Sequence, residues 1–421
     1  MRRILAMAVT IAAIFSLTPS LAQATPTTKD VSLSRKYQMP VNALLTYRTL
    51  QASLSIKTKI KPKLDMHIAP TITNNWPKDL LAVLDGGIAY WQGQYLPTET
   101  VPTFFFTEKD REWLKGALAE VGIDSEKTIA NFDRNVSING AATTWAGSSN
   151  ENGRVFNLYL NGTEAPAWLN FPSSQVSAHE WTHNAQAEMA GSTSVLPCWY
   201  KEGSATFFGT AIAAKTESDY ATLRSISVIW QSNPYSVNPP NFLLFNEKSI
   251  AGGYEKYFND RDATYSADKC GPDGSYALGF LATEYLMQLK GKKGQVDFMT
   301  LSKTMPWKSA IAKTYGKSWP ILLKEIATYI RTSAKLIKPP TDIPPAPSKS
   351  TSTPSPVTEG TKQTPTPQPS TSPSPAEQDG APPGEAAIGR SCLDAGKTGF
   401  SWKQEPITCT NVSGTLKWVA S

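Results

Sequence analysis

Three residues in the middle of the chain have the types and the spacing that bind a metal ion and activate water. They belong to the motif His179-Glu180-Trp181-Thr182-His183. On a helix, positions i and i+4 lie on one face, so both imidazoles can reach a single ion. Glu180 follows the first histidine, where its carboxylate can face a water molecule on that ion. The chain has only 3 histidines, and chance would give such a motif in on the order of one in a thousand chains of this composition.

A third ligand is available further along the chain. Catalytic zinc needs three protein ligands and one open position. Glu202 follows His183 after a gap of 18 residues, and the segment from Gly191 to Pro197 between them predicts a turn joining two helices. A helix–turn–helix of this span would return Glu202 to the histidines. We therefore expect one Zn²⁺ held by His179, His183 and Glu202, with Glu180 as the general base.

These residues resemble the zinc site of the gluzincin metallopeptidases, the group that includes thermolysin and aminopeptidase N. The shared features are the H-E-x-x-H motif, the gap of 18 residues, and the pattern Trp199-x-x-Glu202-Gly203-x-Ala205. The resemblance covers residues 75–335. It implies a zinc-dependent peptidase that hydrolyses peptide or protein substrates, with a zinc-activated water and Glu180 as general base.

The resemblance also implies a second donor to the substrate carbonyl. Aminopeptidase N-type enzymes use the tyrosine of a Tyr-x-x-Gly motif on a later helix, which corresponds here to Tyr276-Ala277-Leu278-Gly279. Tyr254 is a competitor, although Tyr257 stands where that motif has its glycine. The alternative role for either tyrosine is core packing.

The chain departs from the family pattern at two places. One concerns the binding of a substrate amino terminus, and the other concerns the group that orients a zinc histidine. Aminopeptidases grip a free amino terminus with a Gly-x-Met-Glu-Asn strand, whereas residues 140–144 read GAATT and contain no glutamate. This argues against an aminopeptidase. The thermolysin branch has an acid four residues after the third ligand, which orients a zinc histidine. Thr206 occupies that position, so the orienting group is expected elsewhere.

The elements around the motif predict an α+β domain over residues 71–337. Strands precede helices along the chain, an order that indicates α+β rather than a parallel α/β sheet. The expected elements are helices at Trp76–Tyr95 and Glu108–Val121, strands at Val101–Phe106, Thr143–Gly147 and Arg154–Leu160, and helices from Ser173 onward, including Tyr276–Leu289 and Trp307–Ile330. The resemblance implies a small gluzincin-like sheet, with Arg154–Leu160 as the edge strand that binds substrate backbone, followed by the helical zinc-binding half.

The first 24 residues have the pattern of a cleaved secretory signal. A positive start is followed by an apolar run from Ile4 to Leu17 and an A-x-A site that ends at Ala24. This run is shorter than the ~20 residues of a spanning helix, and no later segment is long and apolar enough to span. We expect a secreted or cell-wall-associated protein with no membrane span after cleavage. Its net charge of +6 is too small and scattered to indicate nucleic-acid binding.

The remaining segments flank the expected domain. Residues 25–70 form either an arm or a leading helix around Val41–Leu54. Residues 338–385 are rich in Pro, Ser and Thr, which predicts an extended linker. Residues 386–421 form a module too small to be stable without a disulfide. This module resembles a small repeat of actinobacterial surface proteins, which implies either attachment to the cell wall or only a folded cap.

Four cysteines predict disulfides, because an even number in an exported chain favours pairing. Three connectivities are possible in principle. The linker separates Cys198 and Cys270 from Cys392 and Cys409, so we expect pairing within each side.

Two other functions remain alternatives to the peptidase. One is a surface protein that binds zinc but has lost catalysis, and the other is a wall-attached scaffold whose function lies in the C-terminal module. The intact Glu180 favours the enzyme over an inactive zinc protein.

Overall fold

The computed structural model describes residues 25–54, 61–130, 144–151, 154–161, 175–230, 247, 252–264, 274–337, 398–400, 406–412 and 415–420. The chain divides into two units, residues 1–350 and 351–421. The first unit is mostly helical with a small sheet, which agrees with the α+β prediction. Its helices are α1 (Thr28–Lys36), α2 (Val41–Leu54), α3 (Trp76–Trp91), α4 (Arg111–Glu120), α5 (Gln175–Ala190), α6 (Cys198–Ala213), α7 (Glu217–Trp230), α8 (Gly253–Thr264), α9 (Ser275–Ser302), α10 (Trp307–Tyr315) and α11 (Trp319–Leu336).

The sheet of the first unit has four strands, β1 (Leu64–Ile68), β2 (Val101–Thr107), β3 (Thr144–Glu151) and β4 (Arg154–Asn161), in the order β1-β2-β4-β3. Strands β1, β2 and β4 are parallel, and β3 is antiparallel to β4. Helices α3 and α4 lie in the chain between these strands, so the order of strands before helices does not hold in this half. The expectation that the sheet is not parallel is therefore wrong for β1, β2 and β4.

Side chains of β2 alternate between two apolar layers. Phe104 and Phe106 pack with Leu114 and Leu118 of α4 on one face of the sheet. Phe105 packs with Leu80 of α3 and with a tyrosine of β4 on the other face. A strand buried on both faces reads as a continuous apolar run, which explains why the sequence identified β2 almost to the residue.

The edge strand differs from the prediction. Arg154–Leu160 belongs to β4, which lies inside the sheet between β2 and β3. Among the described strands, β3 forms this edge of the sheet and β1 forms the other, and β3 packs against α5. The error has a physical cause, because strand order depends on which chains pair across the sheet, and local alternation does not record it.

Residues 25–70 are an integral part of the first unit. Helix α2 has the bounds of the predicted leading helix, and its Leu44, Tyr47 and Leu50 lie in the main apolar core. Strand β1 pairs with β2. The predicted boundary at residue 71 therefore separates two elements that belong to the same packed unit.

Helix α6 is the centre of the helical half. All but two of its residues are buried, and it packs against α5, α9, α7 and α3. Helix α5 ends before Gly191, whose φ of 75° allows the chain to turn. Pro197 then precedes α6 with an extended backbone. The predicted turn between the two helices is therefore present. The predicted helical stretch Trp307–Ile330 is divided into α10 and α11 at Gly316, which has a φ of 70°.

Two glycines set the distance between α6 and α9. A Cβ atom on Gly203 would lie 2.1 Å from the carbonyl carbon of Gly279, and a Cβ atom on Gly279 would lie 1.8 Å from the carbonyl oxygen of Trp199. No side chain fits between these backbones.

Replacement of Gly279 by Ala should destabilise the protein by more than about 3 kcal/mol, because overpacking usually costs about 1–3 kcal/mol and here the clash is with backbone. Gly116 of α4 is the matched control, since a Cβ atom there meets nothing within 4 Å. Gly116→Ala should be neutral or stabilising by up to about 1 kcal/mol. Denaturant unfolding measures both changes. Equal stability of Gly279→Ala and the wild type would show that α6 and α9 are not held this closely.

The second unit contains three antiparallel strands, β5 (Thr398–Phe400), β6 (Pro406–Val412) and β7 (Thr415–Ala420). The predicted signal sequence and the predicted linker, at residues 1–24 and 338–385, lie outside the described residues. Cys198 is disulfide-bonded, as the sequence analysis expected. Its pairing with Cys270 stays a prediction, because Cys270 also lies outside the described residues.

Candidate metal centre

Helix α5 presents the two histidines from a firmly anchored backbone. The Ser177 hydroxyl donates a hydrogen bond of 2.8 Å to the carbonyl of Leu80, and the Trp91 indole donates one of 3.0 Å to Thr182. Both contacts join α5 to α3, one from a residue just before the motif and the other from a residue within it. The histidine positions are therefore fixed by the packing of α5.

The structure brings the three predicted ligands together. The Nε2 atoms of His179 and His183 lie 3.1 Å apart. Glu202 Oε2 lies 3.6 Å from His179 Nε2 and 3.3 Å from His183 Nε2. The three side chains are only 7–17% exposed. Two neighbouring turns of α5 and the first turns of α6 thus converge on one point.

These separations fit a tetrahedral zinc site. With zinc–ligand distances near 2.0–2.2 Å, adjacent ligand atoms of a tetrahedron lie about 3.3–3.5 Å apart. The three observed separations, 3.1, 3.3 and 3.6 Å, fall around this range. Two imidazoles and a carboxylate are also a donor set that suits zinc. The residues present therefore fit the expected ion.

Glu180 lies beside the ligands. Its Oε1 is 4.0 Å from His179 Nε2, farther than the ligand atoms are from one another. Burial raises the pKa of Glu180 to about 7. A carboxylate with a pKa near neutrality can accept a proton and release it again. Among the described residues, His179, Glu180 and His183 also form a group whose ligand atoms lie within 4.8 Å of one another. Glu202 lies closer to His179 than Glu180 does, at 3.6 Å against 4.0 Å, and it remains the third ligand that we expect.

Gln186 holds His183 in the orientation that a metal ligand needs. Both protons of its amide nitrogen are used, in hydrogen bonds of 2.9 Å to the carbonyl of Lys201 and 2.8 Å to the hydroxyl of Ser204. Its Oε1 therefore accepts from Nδ1 of His183 at 2.8 Å. This leaves the lone pair of His183 on Nε2, facing Glu202. Gln186 was not among the residues predicted from the sequence.

Thr206 supplies the orienting contact for the other histidine. Its hydroxyl donates to the carbonyl of Glu202 at 2.8 Å, and its oxygen lies 3.4 Å from His179 Nδ1. The expectation that the orienting group lies elsewhere therefore holds for His183, which Gln186 contacts, but not for His179. A hydroxyl whose proton is already committed accepts from an imidazole N–H, so an acid is not required at this position.

The electrostatics of the site favour the metal-binding forms of His179 and Glu202, but not of His183, which must lose a proton before it can bind a metal. Burial lowers the pKa of His179, which favours the neutral imidazole. Burial alone would raise the pKa of Glu202, but the charge of His183 and hydrogen bonds from both histidines hold it well below its usual range. Burial would likewise lower the pKa of His183, and the Glu202 carboxylate raises it overall. Glu202 thus stays ionised despite being buried.

Tyr276 lies at the site, whereas Tyr254 lies in the main apolar core. The ring of Tyr276 stacks on His179 with centroids 6.0 Å apart and an angle of 11°. Tyr254 is 1% exposed within the main core, with its ring 5.9 Å from the Arg331 guanidinium. Position thus favours Tyr276 as the second donor and packing as the role of Tyr254.

Tyr276→Phe should lower kcat by about 10²–10³-fold, the usual cost of one lost donor to a developing oxyanion. Only a hydroxyl is removed, so zinc content and folding should not change. Steady-state hydrolysis and metal analysis on the same preparation test this. Tyr254→Phe is the control and should keep the wild-type kcat. Wild-type turnover in Tyr276→Phe would assign this ring to packing alone.

Comparison with known proteins adds no assignment, because no family model, curated protein or solved structure matches the chain significantly. Among the described residues, no helix has the length and apolar character needed to cross a membrane.

Proposed function

We propose that this protein is a zinc-dependent peptidase of the gluzincin type. The observation that carries the proposal is the convergence of His179, His183 and Glu202, with separations of 3.1–3.6 Å between their ligand atoms. Glu180 beside them supports hydrolysis rather than metal storage, since a structural zinc site needs no buried, unligated carboxylate. The edge strand β3 next to α5 supports an extended peptide as substrate, because an edge strand can pair with peptide backbone.

The side chains have separate tasks in this reaction. When bound, zinc supplies a Lewis acid that activates water and polarises the scissile carbonyl. Glu180 accepts the proton of the attacking water and passes it to the amide nitrogen as the C–N bond breaks. The Tyr276 hydroxyl donates a hydrogen bond to the carbonyl oxygen as its negative charge develops. Gln186 and Thr206 keep the two imidazoles turned towards the ion.

Export is part of the proposal, and it rests on the signal-like sequence of residues 1–24. The mature chain would begin at Thr25 and act outside the cell, either free or bound to the wall through residues 386–421. Mass spectrometry of the chain recovered from culture medium and from the wall fraction tests both statements. A chain found only inside the cell and still carrying residues 1–24 would contradict export.

The central test combines metal analysis with a peptide-library digest of residues 25–421. We expect one zinc ion per chain, and cleavage that stops with a chelator and returns with zinc. The cleavage sites would also separate an endopeptidase from an exopeptidase. A chain that binds zinc but cleaves nothing would support an inactive zinc-binding protein. A chain that binds no zinc would contradict the proposed site itself.

A further inference from the structure

Lys201 contacts the side of Glu202 that faces away from the histidines. Its Nζ lies 3.5 Å from Glu202 Oε1, whereas Oε2 of the same carboxylate is the atom that lies near both imidazoles. Neighbouring residues on a helix do not face each other. The contact therefore depends on the conformation of the two side chains, and adjacency in sequence does not by itself produce it.

Lys201 and Glu202 form a largely buried ion pair. The Lys201 side chain is 19% exposed and that of Glu202 is 7% exposed. At low exposure an ion pair is screened less than at the surface, so the ammonium competes effectively for the electron density of Oε1. The main chain of Lys201 is held independently, since its carbonyl accepts from Gln186 and its N–H donates to the carbonyl of Pro197 at 2.9 Å.

We infer that Lys201 is a positioning residue that restricts Glu202 to a single-oxygen contact with the metal. A carboxylate can bind a metal through one oxygen or through both. With Oε1 engaged by the ammonium, only Oε2 is available, and the ion keeps an open position for water and substrate. The inference rests on the proposed metal site, and it adds a residue for which the gluzincin resemblance implies no role.

The contact between Lys201 and Glu202 should lower the affinity for metal, and this effect can be measured. A lysine ammonium beside the binding site repels a dication, so the affinity for metal should be lower with Lys201 than without it. Removal of the ammonium should therefore increase the number of ligand atoms without weakening binding. A lysine that only stabilised α6 would give the opposite result, weaker binding with unchanged coordination.

Cobalt(II) in place of zinc, with no substrate present, tests the inference. Four-coordinate cobalt absorbs visible light several-fold more strongly than five-coordinate cobalt, because geometry governs the intensity of its d–d bands. In Lys201→Met we expect a several-fold weaker band and a coordination number by X-ray absorption that rises from about four to about five. The Kd for Co²⁺, from competition with a chelator, should be unchanged or lower.

Two further variants make the result specific. Lys201→Arg keeps the charge and should keep the wild-type spectrum. Lys215→Met removes an exposed lysine just beyond the C-terminal end of α6. This end of the helix lies about 18 Å from Lys201 along the helix axis, so the substitution should change nothing. A wild-type spectrum in Lys201→Met, or a Kd raised about tenfold or more with the spectrum unchanged, overturns the inference. If Lys201→Met alters the coordination but the wild type cleaves no peptide, the inference about Lys201 stands and the proposed peptidase function is refuted. If the wild type binds no cobalt, both proposals are refuted.

Discussion

Glu180→Gln should retain zinc and lose hydrolysis, with kcat lower by about 10²–10⁴-fold, the usual contribution of a positioned general base. The amide has nearly the same shape as the carboxylate but cannot accept the proton of the attacking water. Glu180 Oε1 lies 4.0 Å from His179 Nε2, outside the closer set formed by His179, His183 and Glu202. Its loss should therefore not change metal affinity. Turnover of a peptide identified in the library digest, measured alongside zinc content, gives both quantities.

Glu188→Gln is the matched control for this variant. Glu188 is an exposed residue of the same helix, two turns beyond Glu180. Glu188→Gln makes the same chemical change at a distance from the predicted ligands, and this variant should keep both its zinc and its turnover. Unchanged hydrolysis in Glu180→Gln would remove the general base from the proposal. Loss of zinc in that variant would mean that Glu180 is itself a ligand.

The sequence predicted the site better than the sheet, and the reason is the range of the interactions involved. His179, Glu180 and His183 are related by the geometry of one helix, which spacing alone specifies. To place Glu202 near the histidines, the chain also had to turn between two helices, and Gly191 and Pro197 indicated that turn. In each case a local feature of the chain carried the information.

Features that depend on contacts between distant segments were missed or misplaced. Strand β1 lies within a polar stretch, and only its pairing with β2 makes it a strand. Strand β4 pairs with β3 on one side and with β2 on the other, and this pairing places β3 at the edge. Gln186 resembles any polar helical residue until α6 packs against α5 and places Ser204 within reach.

Thr206 illustrates a different limit. The family pattern expects an acid at this position, and the threonine was therefore set aside as the partner of His179. Its position one turn after Glu202 lets its hydroxyl donate to the Glu202 carbonyl. The same oxygen then faces His179 Nδ1. A pattern of residue types records one chemical solution, whereas the geometry of the helix permits others.

Glu202→Ala should lose zinc binding, because one of three proposed ligands is removed. Gln186→Leu keeps all three ligands and removes only the partner of His183 Nδ1. Loss of such an outer partner typically lowers metal affinity about 10–100-fold, so the effect of Glu202→Ala should be larger than that. Glu120→Ala, at an exposed position on α4, should bind zinc as the wild type does. Competition with a chelator ranks the affinities of the four proteins.

Thermal unfolding gives a second readout of Glu202→Ala that does not depend on catalysis. A ligand that binds only the folded state stabilises it, by about 4 kcal/mol when its concentration is 1,000 times Kd. The wild type should therefore unfold at a higher temperature with zinc than with a chelator. Glu202→Ala should show no such difference, and Glu180→Gln should show the full one, since Glu180 is not expected to be a ligand. Equal stabilisation of Glu202→Ala and the wild type would exclude Glu202 from the ligand set and leave the metal with His179 and His183 alone.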